Sequence, residues 1–147
     1  DCIVAVMHWG YEYHRQPNRE QRRVAEFLQR NGVDLIIGSH PHVVQPAERS
    51  EDGRITLYSL GNLVSNQRKR YSDGGLIATI DLEIRDSIVG EKVVSTQKQH
   101  ALTLTSVWVK LPGYAIIPKP IGDTIPLDAT SKAAYDLFMA DTEELLK

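Results

Sequence analysis

The sequence predicts an α/β domain built on a mixed β-sheet, with one crossover helix and a helix at the carboxyl end. Three observations carry this. Two apolar, β-branched runs, CIVAVM and VDLIIG, bracket a segment of helical periodicity, the strand–helix–strand order of a parallel crossover. A turn-forming SEDGR then separates two further strand-like segments. Finally, Ala134, Leu137, Phe138 and Leu145 recur at helical spacing near the end of the chain.

The elements follow in order. CIVAVM reads as a strand buried on both faces and stops at His8-Trp9-Gly10. In NREQRRVAEFLQRNG, Val24, Phe27 and Leu28 mark an apolar face, Asn18 is placed as N-cap, Gln21 as its N3 partner and Gly32 just past the end. VDLIIG is a second buried strand, parallel to the first. The chain then leaves along VVQPAE, turns at SEDGR and returns along ITLYSL to Gly61-Asn62. NQRKRYSDGG is a polar loop, LIATIDLEI a half-exposed strand, and KVVSTQKQHALTLTSVWVKL one or two more, with Trp108 in the core or on the sheet. Pro112 to Asp128, rich in proline, is expected to be an extended connector. The last helix is expected to be capped near Asp128 or Thr130.

Composition bounds the function. The 147 residues suffice for one domain spanning 1–147 with a buried core, and a net charge of −2 with interspersed signs gives no field for nucleic acid or an anionic membrane. Cys2 is the single cysteine, so a disulfide within the chain and a thiolate zinc cluster are excluded. No apolar run approaches the roughly 20 residues of a membrane span. The chain opens without methionine directly on an apolar run, as a piece of a longer protein would, so membrane association is expected only through a segment outside it.

The chemistry lies in the histidines. Parallel strands end at the same sheet edge, so His8 is expected beside the Gly38–His42 stretch, GSHPH, where ligand sites of open α/β sheets lie. Pro41 disfavours helical backbone at the preceding residue, so His40 and Pro41 are expected to be extended, with His40 and His42 pointing the same way. Three imidazoles aimed at one centre suit zinc, iron or manganese. A lone histidine at a strand end is usually just satisfied by a carbonyl, and it is the convergence that favours a site. His14 and His100 lack that context and are assigned to surface or structural roles. Glu12 and Glu48 are either imidazole-orienting partners or solvated carboxylates, the latter preferred. Asn62 either closes a turn or contacts substrate; Arg68, Lys69 and Arg70 either clamp an anion or form a solvated loop. Trp9 and Tyr11 either wall a pocket or pack. Neither a serine nucleophile elbow nor a P-loop is present.

HWGYEY, GVDLIIGSHPHVVQPAE and LYSLGNLVSNQ, in this order and spacing, resemble the bacterial capsule synthesis proteins of the CapA type, the poly-γ-glutamate biosynthesis family, over residues 2 to 85. Ser39 stands where many relatives have another histidine. That family's domain is similar to calcineurin-like metallophosphoesterases. The resemblance therefore implies an αββα sandwich with a dinuclear centre, His8, His40 and His42 being catalytic residues and metal ligands; Asn62, Arg68 and Arg70, from their place in the sequence, are the candidates for contacting substrate. It further implies that manganese, zinc or iron is completed by carboxylates from an amino-terminal half absent from this chain. Paired metals of this kind polarise a phosphoryl or acyl oxygen and activate water.

The expected partners are an anionic polymer or phosphate-containing substrate and that missing half, in the cell envelope, with no nucleic acid. Three activities stay open: a metal-dependent hydrolase or transferase of capsule or polyglutamate synthesis, a non-catalytic polymer-binding or assembly subunit with a vestigial metal site, and a general metal-dependent phosphodiesterase.

Overall fold

The computed structural model describes residues 2–90 and 92–147, with side chains at all of these except 84, 85 and 95–100. His100 thus lies outside the described side chains. The elements are β1 (Val4–His8), α1 (Arg19–Arg30), β2 (Leu35–Ser39), β3 (Ala47–Arg49), β4 (Ile55–Leu57), β5 (Gly74–Val89), β6 (Lys92–Lys110), β7 (Ala115–Pro118), α2 (Lys119–Gly122) and α3 (Ala129–Leu145). They form a mixed four-stranded sheet ordered β1-β2-β4-β3 and an antiparallel three-stranded sheet ordered β5-β6-β7. The fold is the expected α/β class, with a mixed sheet, one crossover helix and a carboxyl-terminal helix.

In the first sheet, β1 and β2 are parallel, with Val4 opposite Leu35 and His8 opposite Ser39. β4 continues the parallel order beside β2, and β3 pairs antiparallel to it, as the SEDGR turn requires. α1 starts at a complete capping box: Asn18 accepts from the Gln21 backbone N–H at 2.8 Å, and Gln21 Oε1 accepts from the Asn18 N–H at 3.0 Å. It packs on this sheet in a core of Ala25, Val33, Ile36 and Tyr58, bordered by Ala5, Met7, Trp9 and Leu28. Ile36 is wholly buried, a contribution of about 1.5–3 kcal/mol from one side chain. Gly38 is required here by space. A Cβ would stand 2.0 Å from Tyr58 O and 2.4 Å from Trp9 Nε1, the donor of a 2.9 Å bond to that same carbonyl.

The second core holds Val44, Leu76, Trp108, Ile117, Tyr135, Phe138 and Met139. α3 is anchored at its start by Asp128, whose carboxylate accepts from the Ser131 N–H at 2.9 Å. Trp108 is buried and donates to Asp73 at 2.8 Å. Two isolated bridges, Val44 with Leu60 and Gly61 with Gly75, tie the second sheet to the segment that follows the histidines. Among the described residues, no helix is long and apolar enough to cross a membrane.

Three expectations are corrected. β1 is not buried on both faces: it is an outermost strand, covered by α1 on one side, and Val4 and Val6 on the other are 48% and 76% exposed. An apolar run records the cover a strand can accept, not the cover it has. The segment from Pro112 to Asp128 is more than a connector, because β7 pairs with Val107–Lys110 and α2 follows it directly. In α3 the buried stripe is Tyr135, Phe138, Met139 and Thr142, while Leu137 is half exposed. The shift follows from Tyr135, whose hydroxyl donates to Asp123 at 2.8 Å and so turns that ring inward.

Candidate functional site

Parallel pairing of β1 with β2 sets the site. With His8 opposite Ser39 in register, and the Trp9 N–H donating to Ser39 O at 3.2 Å, His40 emerges beside His8. The two imidazole ring centres are 4.4 Å apart at an interplanar angle of 45°. His40 and His42 ring centres are 6.3 Å apart. The three histidines named from the sequence therefore gather at one edge of the sheet.

The backbone reaches that arrangement by a route the sequence did not suggest. His40 has φ of 97° and His42 φ of 58°, on either side of the buried Pro41. The expected extended His40 is overturned. The pre-proline preference is a local energy, and here it yields to tertiary anchoring: Val43 and Val44 are buried and the Tyr13 N–H donates to Pro41 O at 2.7 Å. Left-handed backbone at a residue other than glycine costs of order 1–3 kcal/mol and concentrates at functional sites.

Asn62 fixes His42. Its amide NH2 donates to Ser72 O at 2.8 Å and His42 O at 3.2 Å, both carbonyls, so the amide nitrogen is assigned to that side. The Asn62 Oδ1 then faces His42 Nδ1 at 3.0 Å, and an amide oxygen can only accept. His42 Nδ1 consequently carries the proton and Nε2 carries the lone pair. An imidazole held this way at one nitrogen presents the other in a fixed direction, the arrangement used to orient metal-binding and proton-accepting histidines.

A buried amide relay supports the loop before the site. Gln21 Nε2 donates to Gln45 Oε1 at 2.8 Å, and Gln45 Nε2 donates to His14 O at 2.8 Å. Both glutamines are only 1% exposed, so losing one would strand the other's polar groups away from water. Tyr13, in left-handed backbone with φ of 63°, stacks on His42 with ring centres 6.2 Å apart. Sequence reading missed Gln45 and Tyr13, since neither belongs to a ligand-type motif. Gln45 is signalled only by being a polar residue inside an apolar run.

The remaining sequence candidates separate. Arg70 forms a two-pronged bond to the Asp141 carboxylate at 2.9 and 3.1 Å, which raises the guanidinium pKa further. Arg68 is exposed and donates to Gln67 O at 3.1 Å. Glu48 pairs with Arg22 at 2.6 Å and accepts from the Tyr58 hydroxyl at 3.0 Å; Glu12 is exposed. His14 is exposed, with its ring edge-on to Tyr11. Trp9 packs, stacked on Tyr58 at 5.8 Å.

A cation bound about 2.1 Å from an imidazole nitrogen lies roughly 3.2 Å from the ring centre, so two ligands at right angles have centres about 4.5 Å apart. The His8 and His40 ring centres are 4.4 Å apart. Among the described residues, however, no group of three or more His, Cys, Asp or Glu side chains is placed to hold a metal ion.

The family described as bacterial capsule synthesis protein PGA_cap matches residues 1–67, the stretch holding all three histidines and Asn62. The chain is 45% identical over 67 residues to the PGA biosynthesis protein CapA of Bacillus subtilis (strain 168), covering 46% of this chain and 17% of that protein. It is 40% identical over 78 residues to the capsule biosynthesis protein CapA of Bacillus anthracis, covering 52% of this chain and 19% of that protein. The chain thus matches less than a fifth of the length of either relative. Over residues 1–67, the chain is similar to the bacterial capsule synthesis protein family.

Proposed function

We propose that this chain is part of a capsule or poly-γ-glutamate biosynthesis protein of the cell envelope, contributing an imidazole cluster to a centre that acts on an anionic substrate. The observation that carries the reading is the 4.4 Å approach of His8 to His40 beside a His42 whose tautomer Asn62 sets. Free imidazole nitrogens bind a cation or accept a proton, and both uses serve hydrolysis or group transfer at a phosphoryl or acyl centre. In this reading His8, His40 and His42 are the catalytic and cation-holding residues. Asn62 serves as the positioning residue behind His42, and the Arg68–Arg70 loop borders the substrate. Manganese, zinc or iron would need oxygen ligands from outside the cluster described here.

Elemental analysis of the protein tests this, with His40→Ala as control. Stoichiometric manganese, zinc or iron that falls at least tenfold in the variant supports the reading. A metal-free protein whose activity is unchanged in His40→Ala would end it.

The incomplete ligand set favours a second reading, a non-catalytic polymer-binding or assembly role. Polyglutamate binding without turnover, insensitive to chelator, is its signature. A general phosphodiesterase would instead cleave an aryl phosphodiester and ignore polyglutamate.

A further inference from the structure

The three adjacent basic residues of QRKR have three different surroundings. Arg68 and Arg70 line a cleft with Leu137, Phe138 and Asp141 of α3, and Arg70 is held there by the Asp141 carboxylate. Lys69 goes the other way. Its ammonium lies 4.1 Å from the centre of the Tyr13 ring, and Tyr13 is the ring stacked on His42. Lys69 is exposed, and no ion pair engages it among the described residues. Its charge therefore sits over Tyr13, one ring removed from His42.

The backbone under Lys69 is fixed from both sides. Lys69 O accepts from the Ser72 N–H at 2.9 Å and the Ser72 hydroxyl at 2.7 Å, and Ser72 is fully buried. Ser72 O in turn accepts from Asn62, the residue that sets His42. Arg15 lies over the Tyr71 ring at 4.2 Å and donates to Asp141 O, so the loop is pinned to α3 as well. A flexible lysine loses much rotamer freedom when it is held; here the aromatic face and the pinned backbone have already removed part of it.

We infer that Lys69, seated on Tyr13, is the residue that binds the oxyanion of the substrate at the histidine cluster, and that Arg70 is a positioning residue for its loop. This rests on the proposed function. An ammonium is a compact point charge that serves phosphate and carboxylate alike. The two sources are separated by the probe.

The test is calorimetric titration of the protein at low salt with inorganic phosphate and, separately, with γ-glutamylglutamate. Lys69→Ala should weaken the anion that binds by about tenfold or more, the scale of one charge-assisted bond. Lys69→Arg should stay within about threefold of wild type. Binding of phosphate alone assigns a phosphoester, of the dipeptide alone a polycarboxylate, and of both a general oxyanion pocket; each supports the inference. It is overturned if neither anion binds wild type, if Lys69→Ala binds normally, or if Arg70→Ala with unchanged thermal midpoint weakens binding as much as Lys69→Ala. Lys69→Ala should leave manganese uptake as in wild type. A protein that takes up no manganese yet loses anion binding in Lys69→Ala defeats the metal reading and leaves this one standing.

Discussion

Asn62 Oδ1 stands 3.0 Å from His42 Nδ1, and because the Asn62 NH2 is engaged by two carbonyls, this one contact decides which imidazole nitrogen is free. The consequence is measurable. Nitrogen-15 spectra of ring-labelled histidine should show His42 as the Nδ1–H tautomer in the native protein. In Asn62→Ala that preference is lost, and the stranded carbonyls of His42 and Ser72 lower stability by about 2 kcal/mol in urea denaturation. Asn62→Asp keeps the acceptor for His42 but turns an oxygen on the carbonyls. It should retain the tautomer while losing stability.

Gly38→Ala should be severe although it adds one carbon. The new Cβ meets backbone at Tyr58 O, which cannot move aside as a side-chain tip can, and it breaks the Trp9 to Tyr58 bond. A loss of about 3 kcal/mol is expected from overpacking of this kind. A native-like denaturation midpoint would refute the spacing of β2 against β4.

At position 40 function and stability are opposed. With φ of 97°, His40 occupies backbone that glycine accepts without strain. His40→Gly should therefore be more stable than His40→Ala by about 1 kcal/mol, although both lack the imidazole. Equal midpoints for the two variants would show that the backbone relaxes once the ring is gone.

Alkaline pH supplies a further check. Burial, and then the neighbouring Glu48, push the Tyr58 phenol well above its ordinary range, so the folded protein keeps this proton where the unfolded chain has lost it. The unfolded state then binds fewer protons, and stability falls as pH rises above about 10. The contribution is complete below that pH. Tyr58→Phe should flatten the slope above about pH 10; an unchanged slope would place its origin elsewhere, Tyr135 being a second raised phenol.

Much of the scaffold was legible because it follows from periodicity and capping. Asn18, Gln21 and Gly32 bracket α1, SEDGR closes the β3–β4 turn, and the strand–helix–strand order alone brings His8 toward His40. What could not be read depends on left-handed backbone at residues other than glycine. Tyr13, His40, His42 and Tyr71 all have positive φ, and residue type alone does not fix it. Lys69 lies over Tyr13 while Arg70 pairs with Asp141, contacts between residues far apart in the chain, so the division of roles within QRKR was hidden. The reach of Gln45 back to His14 O was equally invisible, since it joins residues far apart in the chain.

β1 is the outermost strand of its sheet, one of its edges is bonded to β2, and it carries Val4 and Val6 in the open. Neither proline nor lysine interrupts it, and those are the residues by which natural sheets discourage unwanted pairing. A row of unclaimed amides flanked by valines recruits whatever extended segment comes near. Produced by itself at rising concentration, this polypeptide should therefore self-associate, and Val6→Lys should keep it monomeric without disturbing the face packed on α1.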